Sequence, residues 1–561
     1  MWKSLEDEIS RHIIAKKAVE RTVAKNAMVA SENPLASLAG NKILKKGGNA
    51  VDAAVATHFA LAVTKPYSTG FGGGGRCCIR MANGEAFAMN FEPMTPGKEN
   101  PFEPDPEREA SIYKVSLGRP ACKDDANLYG YKAAAIPGFV YGMSYLVERF
   151  GTLDLGDILE PAIKYAEEGY LVDSYIASTI AFNMYLIRKF PETAKILLKD
   201  GLPPQPWGRS RWSKTYDKIV QTDLAGTLRI LAKEGPDAYY KGEIAQAIAG
   251  DMEKNGGHIT MNDLASYKPE IFEEPGKASY RGYDLFFLPV STGIPQILSI
   301  LDGFDMKGLG YNTPKSVHLI AEAIKLAYAS RGKFLGLGME KRPFKGIATR
   351  EYAEMLGSQI KMDEALNEID LGDPWMLQGE DTTHACVVDK DRNIAGVHSS
   401  LGDNFGSKVT IMGTGIILNN KMKDYDPRPN EANSVRPHTI RPPPSSSAVM
   451  LKDGVPAMVV GSPGGYKQVT AVVRTITNII DYGMGIQEAI DSPRIFAQTN
   501  KVFLESRMPR GVCEALVKMG HDVMVVDKEF GFASPSGIVI DPKTGLLHGG
   551  TNGLPGVTIG Y

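Results

Sequence analysis

The sequence predicts an α+β protein, in which strands and helices occupy separate stretches of the chain instead of alternating. Three observations carry this. Alternating runs from Arg76 to Met81 and from Ala86 to Phe91 flank an Asn83-Gly84 turn, a β-hairpin signature. From about 130 to 360, apolar residues recur at i, i+3, i+4 spacing, which is a helical period. At Thr382 the pattern changes abruptly back to strands.

In chain order, residues up to Asn26 alternate charged and apolar side chains without an apolar core, reading as an amphipathic helix and not a signal peptide. Residues 30–66 read as helix, interrupted at Lys45-Lys46-Gly47-Gly48-Asn49 and resuming from Ala50 to Val63. The four consecutive glycines Gly72 to Gly75 are expected to forbid regular structure while admitting another backbone closely. Helices are predicted at Ile158 to Gly169, Leu224 to Glu234, Ile244 to Lys254 and Val317 to Phe334, with Gly/Pro/Asn punctuation between them. The acidic stretch 361–381 lacks periodicity and reads as an exposed connector. Thr382 to Val388 and Ile394 to Ser399 form a second hairpin about the turn 389–393. Strands at Ala448 to Leu451 and Ala457 to Gly461, a helix from about 466 to 481, and strands at Ser536 to Ile540 and Leu546 to Gly549 complete the reading. The polar, proline-rich segment 425–447 reads as a lid.

Composition excludes several classes. The 561 residues are 43% hydrophobic and 23% charged, so disorder, collagen and coiled coil are out. With 63 basic against 65 acidic side chains there is no cationic surplus for nucleic acid. The apolar run from Ala50 to Val63 is too short to span a membrane and contains Asp52 and His58. Five cysteines without zinc or redox spacing read as free thiols, suiting a reducing compartment. The expectation is a soluble, cytoplasmic protein, with no membrane or nucleic-acid partner.

Chemistry concentrates at Asp381-Thr382-Thr383-His384, where an acidic loop enters a strand at a hydroxyl residue. If the Asp381–Thr382 bond is cut, Thr382 acquires an α-amine with an intrinsic pKa of about 7.7–8. That amine can take the proton of its own hydroxyl, making one residue both nucleophile and base. A second component is Gly461-Ser462-Pro463-Gly464-Gly465, between a strand and a helix, where backbone N–H groups can converge on an oxyanion. His384 and His398 read as packed histidines and form no metal constellation. The glycine run lacks the GK[ST] ending of a phosphate loop. No metal and no organic cofactor are expected.

The order of these pieces resembles one family, the γ-glutamyltranspeptidases, which are N-terminal-nucleophile (Ntn) hydrolases. The resemblance runs from about residue 27 to 561 and rests on GGNAVDAAVA (47–56), TGFGGGG (69–75), IPGFVYG (136–142), EPAIKYAEEGY (160–170), GPDAYYKG (235–242), KNGGHITMNDLASYK (254–268), TTHACVVDKDRNIAGV (382–397), GIILNNKMKDYDP (415–427) and GSPGG (461–465). It implies a four-layer αββα sandwich made as a precursor. Self-cleavage between Asp381 and Thr382 would give a large segment, 1–381, and a small segment, 382–561, which stay together as an αβ heterodimer and one catalytic unit. Pairing of two heterodimers is left open. Gly464 and Gly465 match the oxyanion-hole positions, and Thr383 and Ser400 match hydroxyl residues that support the nucleophile.

Substrate-holding positions depart from the family pattern. Glu92 stands where the family has the arginine that clamps the glutamyl α-carboxylate. The serine pair for the same carboxylate falls at Pro443-Pro444, with the register uncertain by one. Of the groups for the α-amine, the asparagine matches Gly402 and the glutamine matches Lys421, while Asp424 is retained. The expectation is a small non-glutamyl acid amide, with Glu92 and Lys421 paired across the altered pocket and Arg76 and Arg441 as candidate anchors. The alternatives are a true γ-glutamyl hydrolase or transpeptidase with a rebuilt pocket, an uncleaved binding protein, and, more remotely, cleavage of a C–C bond.

Overall fold

The computed structural model describes residues 22–112, 115–206, 216–335, 344–347, 349–366, 381–431, 433–498, 500–527, 532–552 and 556–561. Two seven-stranded antiparallel sheets form its centre. The first runs Val557–Gly560, Met28–Ser31, Asp381–Val388, Ile394–Gly402, Gly74–Arg80, Ala86–Phe91, Glu270–Phe272. The second runs Thr22–Ala24, Leu547–Thr551, Ser536–Ile540, Val455–Gly461, Ala448–Lys452, Tyr283–Phe287, Gly276–Tyr280.

The period-2 alternation of strand side chains sorts residues into layers. In Asp381–Val388, Ala385 and Val387 join the core shared with the helices Pro34–Lys46, Ala50–Thr64, Phe139–Phe150 and Leu155–Glu168. Their neighbours Cys386 and Val388 point the other way, into a core shared with Val449, Leu451, Val459 and Ile538 of the second sheet. In that sheet Ala448, Met450, Met458 and Val460 face the helices Gly293–Asp302, Pro314–Leu335 and Lys467–Ile480. The result is helix, sheet, sheet, helix: the expected αββα sandwich. Every residue of Ala50–Thr64 is buried, as an all-round apolar helix requires. Asn49 starts it with a capping box closed by Asp52.

Four details differ from the sequence reading. Thr22–Ala24, placed in the N-terminal helix, is an edge strand paired with Leu547–Thr551, because the short apolar alternation Val23/Ala24 completes the second sheet; residues 1–21 lie outside the described residues. Gly74 and Gly75 sit within a strand instead of interrupting regular structure. A Cβ would fall 2.6 Å from Phe91 O at Gly74 and 2.1 Å from His398 O at Gly75, so close backbone approach is what these glycines provide. The strands Glu270–Phe272, Gly276–Tyr280 and Tyr283–Phe287 arise inside the stretch read as helical and supply an outer strand or strands of each sheet. Much of the segment read as a lid is buried, including Val435, Ile440, Arg441 and Ser445 to Ser447, and Tyr425 Oη donates to Thr439 O at 3.0 Å. Of the connector, 367–380 lies outside the described residues; Ala365 is buried and its N–H donates to Met519 O.

Among the described residues, no helix is long and apolar enough to cross a membrane. None of the five cysteines is in a disulfide, and four of them are buried.

Candidate active site

The Asp381–Thr382 bond lies at the start of the central strand Asp381–Val388, and the pairing with Ile394–Gly402 slips there. Asp381 is opposite Gly402 and Thr383 opposite Ser399, so Thr382 alone faces Ser400 and Leu401, and the extra residue of the bulge is on the partner strand. Bulges re-aim a side chain at the cost of ladder hydrogen bonds. Thr382 is 1% exposed, and its Oγ1 has no hydrogen-bond partner among the described residues. A buried hydroxyl left unsatisfied costs about 1–3 kcal/mol, so its persistence here points to use.

The residues around it hold its frame without bonding its hydroxyl. Thr383 Oγ1 donates to Glu32 Oε2 at 2.7 Å. The Gly402 N–H donates to Ser400 Oγ at 2.9 Å, fixing the chain opposite the scissile bond. His384 and His398 are fully buried, with ring centroids 4.5 Å apart. His384 reaches Ser536 Oγ (2.9 Å) and Ser447 Oγ (3.1 Å), and His398 Nε2 reaches Ser462 O (3.1 Å). Burial holds both imidazoles far below their ordinary range, so they are neutral packing groups, as their sequence context suggested.

Gly464 and Gly465 follow the strand Val455–Gly461 and precede the helix Lys467–Ile480, both at positive φ, +111° and +60°. A side chain at Gly464 would be strained by φ, and its Cβ would lie 2.7 Å from Ala533 Cβ. Gly464→Ala is therefore expected to rotate this turn and lower kcat about 100-fold, the scale of losing one oxyanion donor. Steady-state rates at saturating substrate check it; an unchanged kcat would remove the turn from the chemistry.

Beside these elements lies a narrow recess of about 10 Å³, room for roughly one water, lined by Glu92, Pro93, Lys421, Asp424, Tyr425, Arg441, Pro442 and Pro443. It adjoins the glycine turn through Arg441, whose Nη2 donates to Tyr466 Oη at 2.7 Å. Its neighbours Asn420 and Lys423 approach the partner of the nucleophile's strand at Gly402, where a Cβ would sit 2.2 Å from Asn420 Oδ1 and 3.6 Å from Lys423 Cε. Lys421 Nζ lies 3.3 Å from Glu92 Oε2, and Arg76 Nη1 lies 2.7 Å from Glu92 Oε1, so one carboxylate is held by two cations. Asp424 is surrounded by Lys421 (3.9 Å), Lys423 (3.5 Å) and Arg441 (3.6 Å).

Arg76 differs from its expected place as an anchor. It is 0% exposed and does not line the recess, because its guanidinium is spent on Glu92, on Gln468 Oε1 at 2.8 Å and on the Ser445 carbonyl. Its neighbour in the sheet is His398, which places it in the wall behind the recess. In sequence, Lys421 to Asp424 reads as a charge cluster that could be a solvated loop, whereas all four residues are buried. Sequence reasoning passed over Glu32, Lys65, Asn420, Tyr466 and Gln468; Asn420 lies inside the 415–427 motif and the last two just after the glycine pair, so proximity was the available signal. Glu32 and Lys65 gave none.

Among the described residues, one group has metal-ligating chemistry, His318, Glu322 and His521, with ligand atoms within 4.8 Å of one another. It lies in the other helical layer, on Pro314–Leu335 and beside the strand Asp522–Val526. Lys325 Nζ already supplies a cation to it, 2.8 Å from Glu322 Oε1, and the two imidazoles bond each other directly at 2.7 Å.

A family model for gamma-glutamyltranspeptidase matches residues 36–553, which include Thr382, the glycine turn and most strands of both sheets. The chain belongs to the gamma-glutamyltranspeptidase family. Its relatives include the Acylase ACY 1 proenzyme of Pseudomonas sp. (strain SE83), 36% identical over 511 residues that cover 89% of this chain and 87% of that protein. The glutathione hydrolase proenzyme of Escherichia coli (strain K12) is 34% identical over 560 residues, covering 96% and 92%. Among solved structures, a cephalosporin acylase from Bacillus halodurans superposes with a TM-score of 0.83 at 28% identity, covering 97% of each chain. This member of the family is accordingly a hydrolytic enzyme on an Ntn sandwich, and both acylases and glutathione hydrolases are its kin.

Proposed function

We propose that the protein is a self-cleaving N-terminal-threonine amidohydrolase acting on amides of small acids that carry a distal carboxylate and no α-amino group. The observation that carries this reading is the Arg76–Glu92–Lys421 bridge in the wall of the recess. Glu92 repels a carboxylate where the family's pattern clamps one, and Lys421 disfavours an ammonium. Among the described residues, Lys421, Lys423 and Arg441 gather within 4 Å of Asp424, which brings cationic groups suited to an acid to this recess. Ser445 Oγ and Gln468 Nε2, on the residues that hold Arg76, are buried without hydrogen-bond partners among the described residues. They are donors that an acid group would satisfy.

The chemistry follows from the bulge and the turn. Thr382 Oγ attacks the Asp381 carbonyl carbon, the peptide nitrogen leaves as the Thr382 amine, and water hydrolyses the resulting ester. That separates segments 1–381 and 382–561. In turnover, the freed amine takes the Thr382 hydroxyl proton as Oγ attacks the substrate's amide carbon. The Gly464 and Gly465 N–H groups receive the developing oxyanion. The proton passes to the leaving amine, and water releases the acid from the threonine ester.

Succinyl, glutaryl and adipyl p-nitroanilides, set against γ-glutamyl p-nitroanilide, test the substrate class. The first three are expected to be hydrolysed faster. Lys421→Ala is expected to cut kcat/KM for the best of them about 10- to 100-fold, mostly through KM, the scale of a lost charge-assisted contact. An unaltered kcat/KM in this variant sinks the pocket reading. The retained Asp424 and the glutathione hydrolase relative favour a second reading, γ-glutamyl hydrolysis, and a preference for the γ-glutamyl anilide would select it.

A further inference from the structure

Glu32 and Lys65 form a buried ion pair directly beside the nucleophile. Lys65 Nζ lies 2.8 Å from Glu32 Oε2, the same oxygen that accepts the Thr383 hydroxyl at 2.7 Å. Glu32 is 8% and Lys65 4% exposed. Glu32 directly follows the strand Met28–Ser31, the partner of the nucleophile's strand, and Lys65 directly follows the helix Ala50–Thr64. Two unrelated elements therefore deliver opposite charges to the residue next to Thr382, and one oxygen receives three groups' worth of order: strand, helix and hydroxyl.

We propose that this pair is a positioning device that sets the proton affinity of the Thr382 α-amine once the chain is cut. The proposal rests on the self-cleavage reading above. Backbone geometry keeps the Thr382 nitrogen within about 6 Å of the Thr383 hydroxyl, so it is within several ångströms of Glu32. An unscreened carboxylate there would hold the amine as ammonium, which cannot accept the hydroxyl proton. Lys65 cancels that field, leaving the amine close to its intrinsic range, where it is partly neutral.

The other charged and titratable groups about the junction leave this role to the pair. His384 and His398 on the same sheet, and His58 on the helix beneath, are kept neutral by burial, His58 with its pKa lowered to about 3. Arg76 on the neighbouring strand is bound to Glu92, and Lys423 beside Gly402 lies 3.2 Å from Asp403. Lys467, two residues after Gly465, is itself disfavoured as a cation by burial.

The test compares wild type with Glu32→Gln, Lys65→Met and the double variant. It uses the pH dependence of kcat/KM on the anilide selected above, and the pH dependence of cyanate carbamylation at the Thr382 amine, read by mass spectrometry. Glu32→Gln leaves Lys65 alone and is expected to move the acid limb about one unit down; Lys65→Met leaves Glu32 alone and moves it about one unit up. The double variant, which strands neither charge, returns the limb to its wild-type position and covers the case in which a single variant does not fold. Limbs that stay put in the single variants, that move in the same direction, or that remain displaced in the double variant overturn the proposal. Carbamylation needs only a cleaved chain, so it tests this inference whatever the substrate. A wild-type chain that never cleaves brings down the underlying reading instead.

Discussion

Thr382→Ala is expected to yield a single 60.9 kDa chain, whereas the parent is expected to separate under denaturing conditions into pieces of about 41 and 20 kDa, in proportion to residues 1–381 and 382–561. Alanine keeps the strand and the bulge but removes the one atom able to attack the preceding carbonyl. Activity should fall to background, a loss of at least about 1,000-fold, because without cleavage neither the nucleophile nor its amine exists. Thr382→Ser separates structure from chemistry. It restores a hydroxyl while losing the methyl that fixes the rotamer, so it should cleave, but more slowly. Intact mass spectrometry of the denatured protein, with the N-terminus of the smaller piece read directly, checks both variants. Cleavage of Thr382→Ala at the same bond would show that another group supplies the attack, and would overturn the assignment of Thr382.

How far this site could be read in advance depended on the range of the interaction. Thr382, Gly464 and Gly465 sit in weak local patterns, a hydroxyl where a strand begins and a glycine pair between strand and helix, and their functional reading comes from the family resemblance of the whole order. The Glu92–Lys421 pair follows from comparing side-chain charge at matched positions, and the structure brings the two within 3.3 Å. Arg76 was misplaced because its sequence context, directly after the glycine run, says nothing of burial. Its partners come from residues 92, 445 and 468, and only the completed sheets bring those together. Glu32 and Lys65 are 33 residues apart and unremarkable in pattern, so their convergence on Thr383 is a product of the tertiary fold.

The fold shows the same division. Helices with long periodic faces, such as Pro314–Leu335, and hairpins with a strong turn are legible, because local contacts specify them. The strands Gly276–Tyr280 and Tyr283–Phe287 were absorbed into a helical stretch. Their identity comes from pairing, since Tyr283–Phe287 becomes a strand by lying against Ala448–Lys452, more than 160 residues later. The layer order follows from alternation alone once the pairing is known: Cys386 and Val388 inward, Ala385 and Val387 outward.

The second large effect is expected far from the recess, at Lys325. This ammonium is 0% exposed and gives its three protons to Glu322 Oε1 (2.8 Å), His521 Nδ1 (3.1 Å) and Asn500 Oδ1 (3.4 Å). With His521 Nδ1 accepting, its Nε2–H donates to His318 Nδ1 at 2.7 Å, and His318 Nε2–H donates to Lys361 O at 2.7 Å. Glu322 Oε2 accepts the Leu366 N–H at 3.3 Å. One lysine therefore sets the direction of a chain of bonds that joins residues on both sides of the 381/382 junction. Burial lowers the pKa of His521 to about 3 and pulls Lys325 down against the opposing pull of Glu322, so the His521 imidazole is neutral beside the Lys325–Glu322 ion pair. Lys325→Met leaves Glu322 buried without its cation and should cost about 3–5 kcal/mol. Pairing it with Glu322→Leu removes both charges and should recover much of that loss, because the remaining penalty is a few neutral hydrogen bonds. Urea unfolding in a Thr382→Ala background, where one intact chain avoids subunit dissociation, measures both variants. A single variant as stable as its parent would mean that water or another cation reaches Glu322, and that the two halves of the molecule are held together by their apolar layers alone.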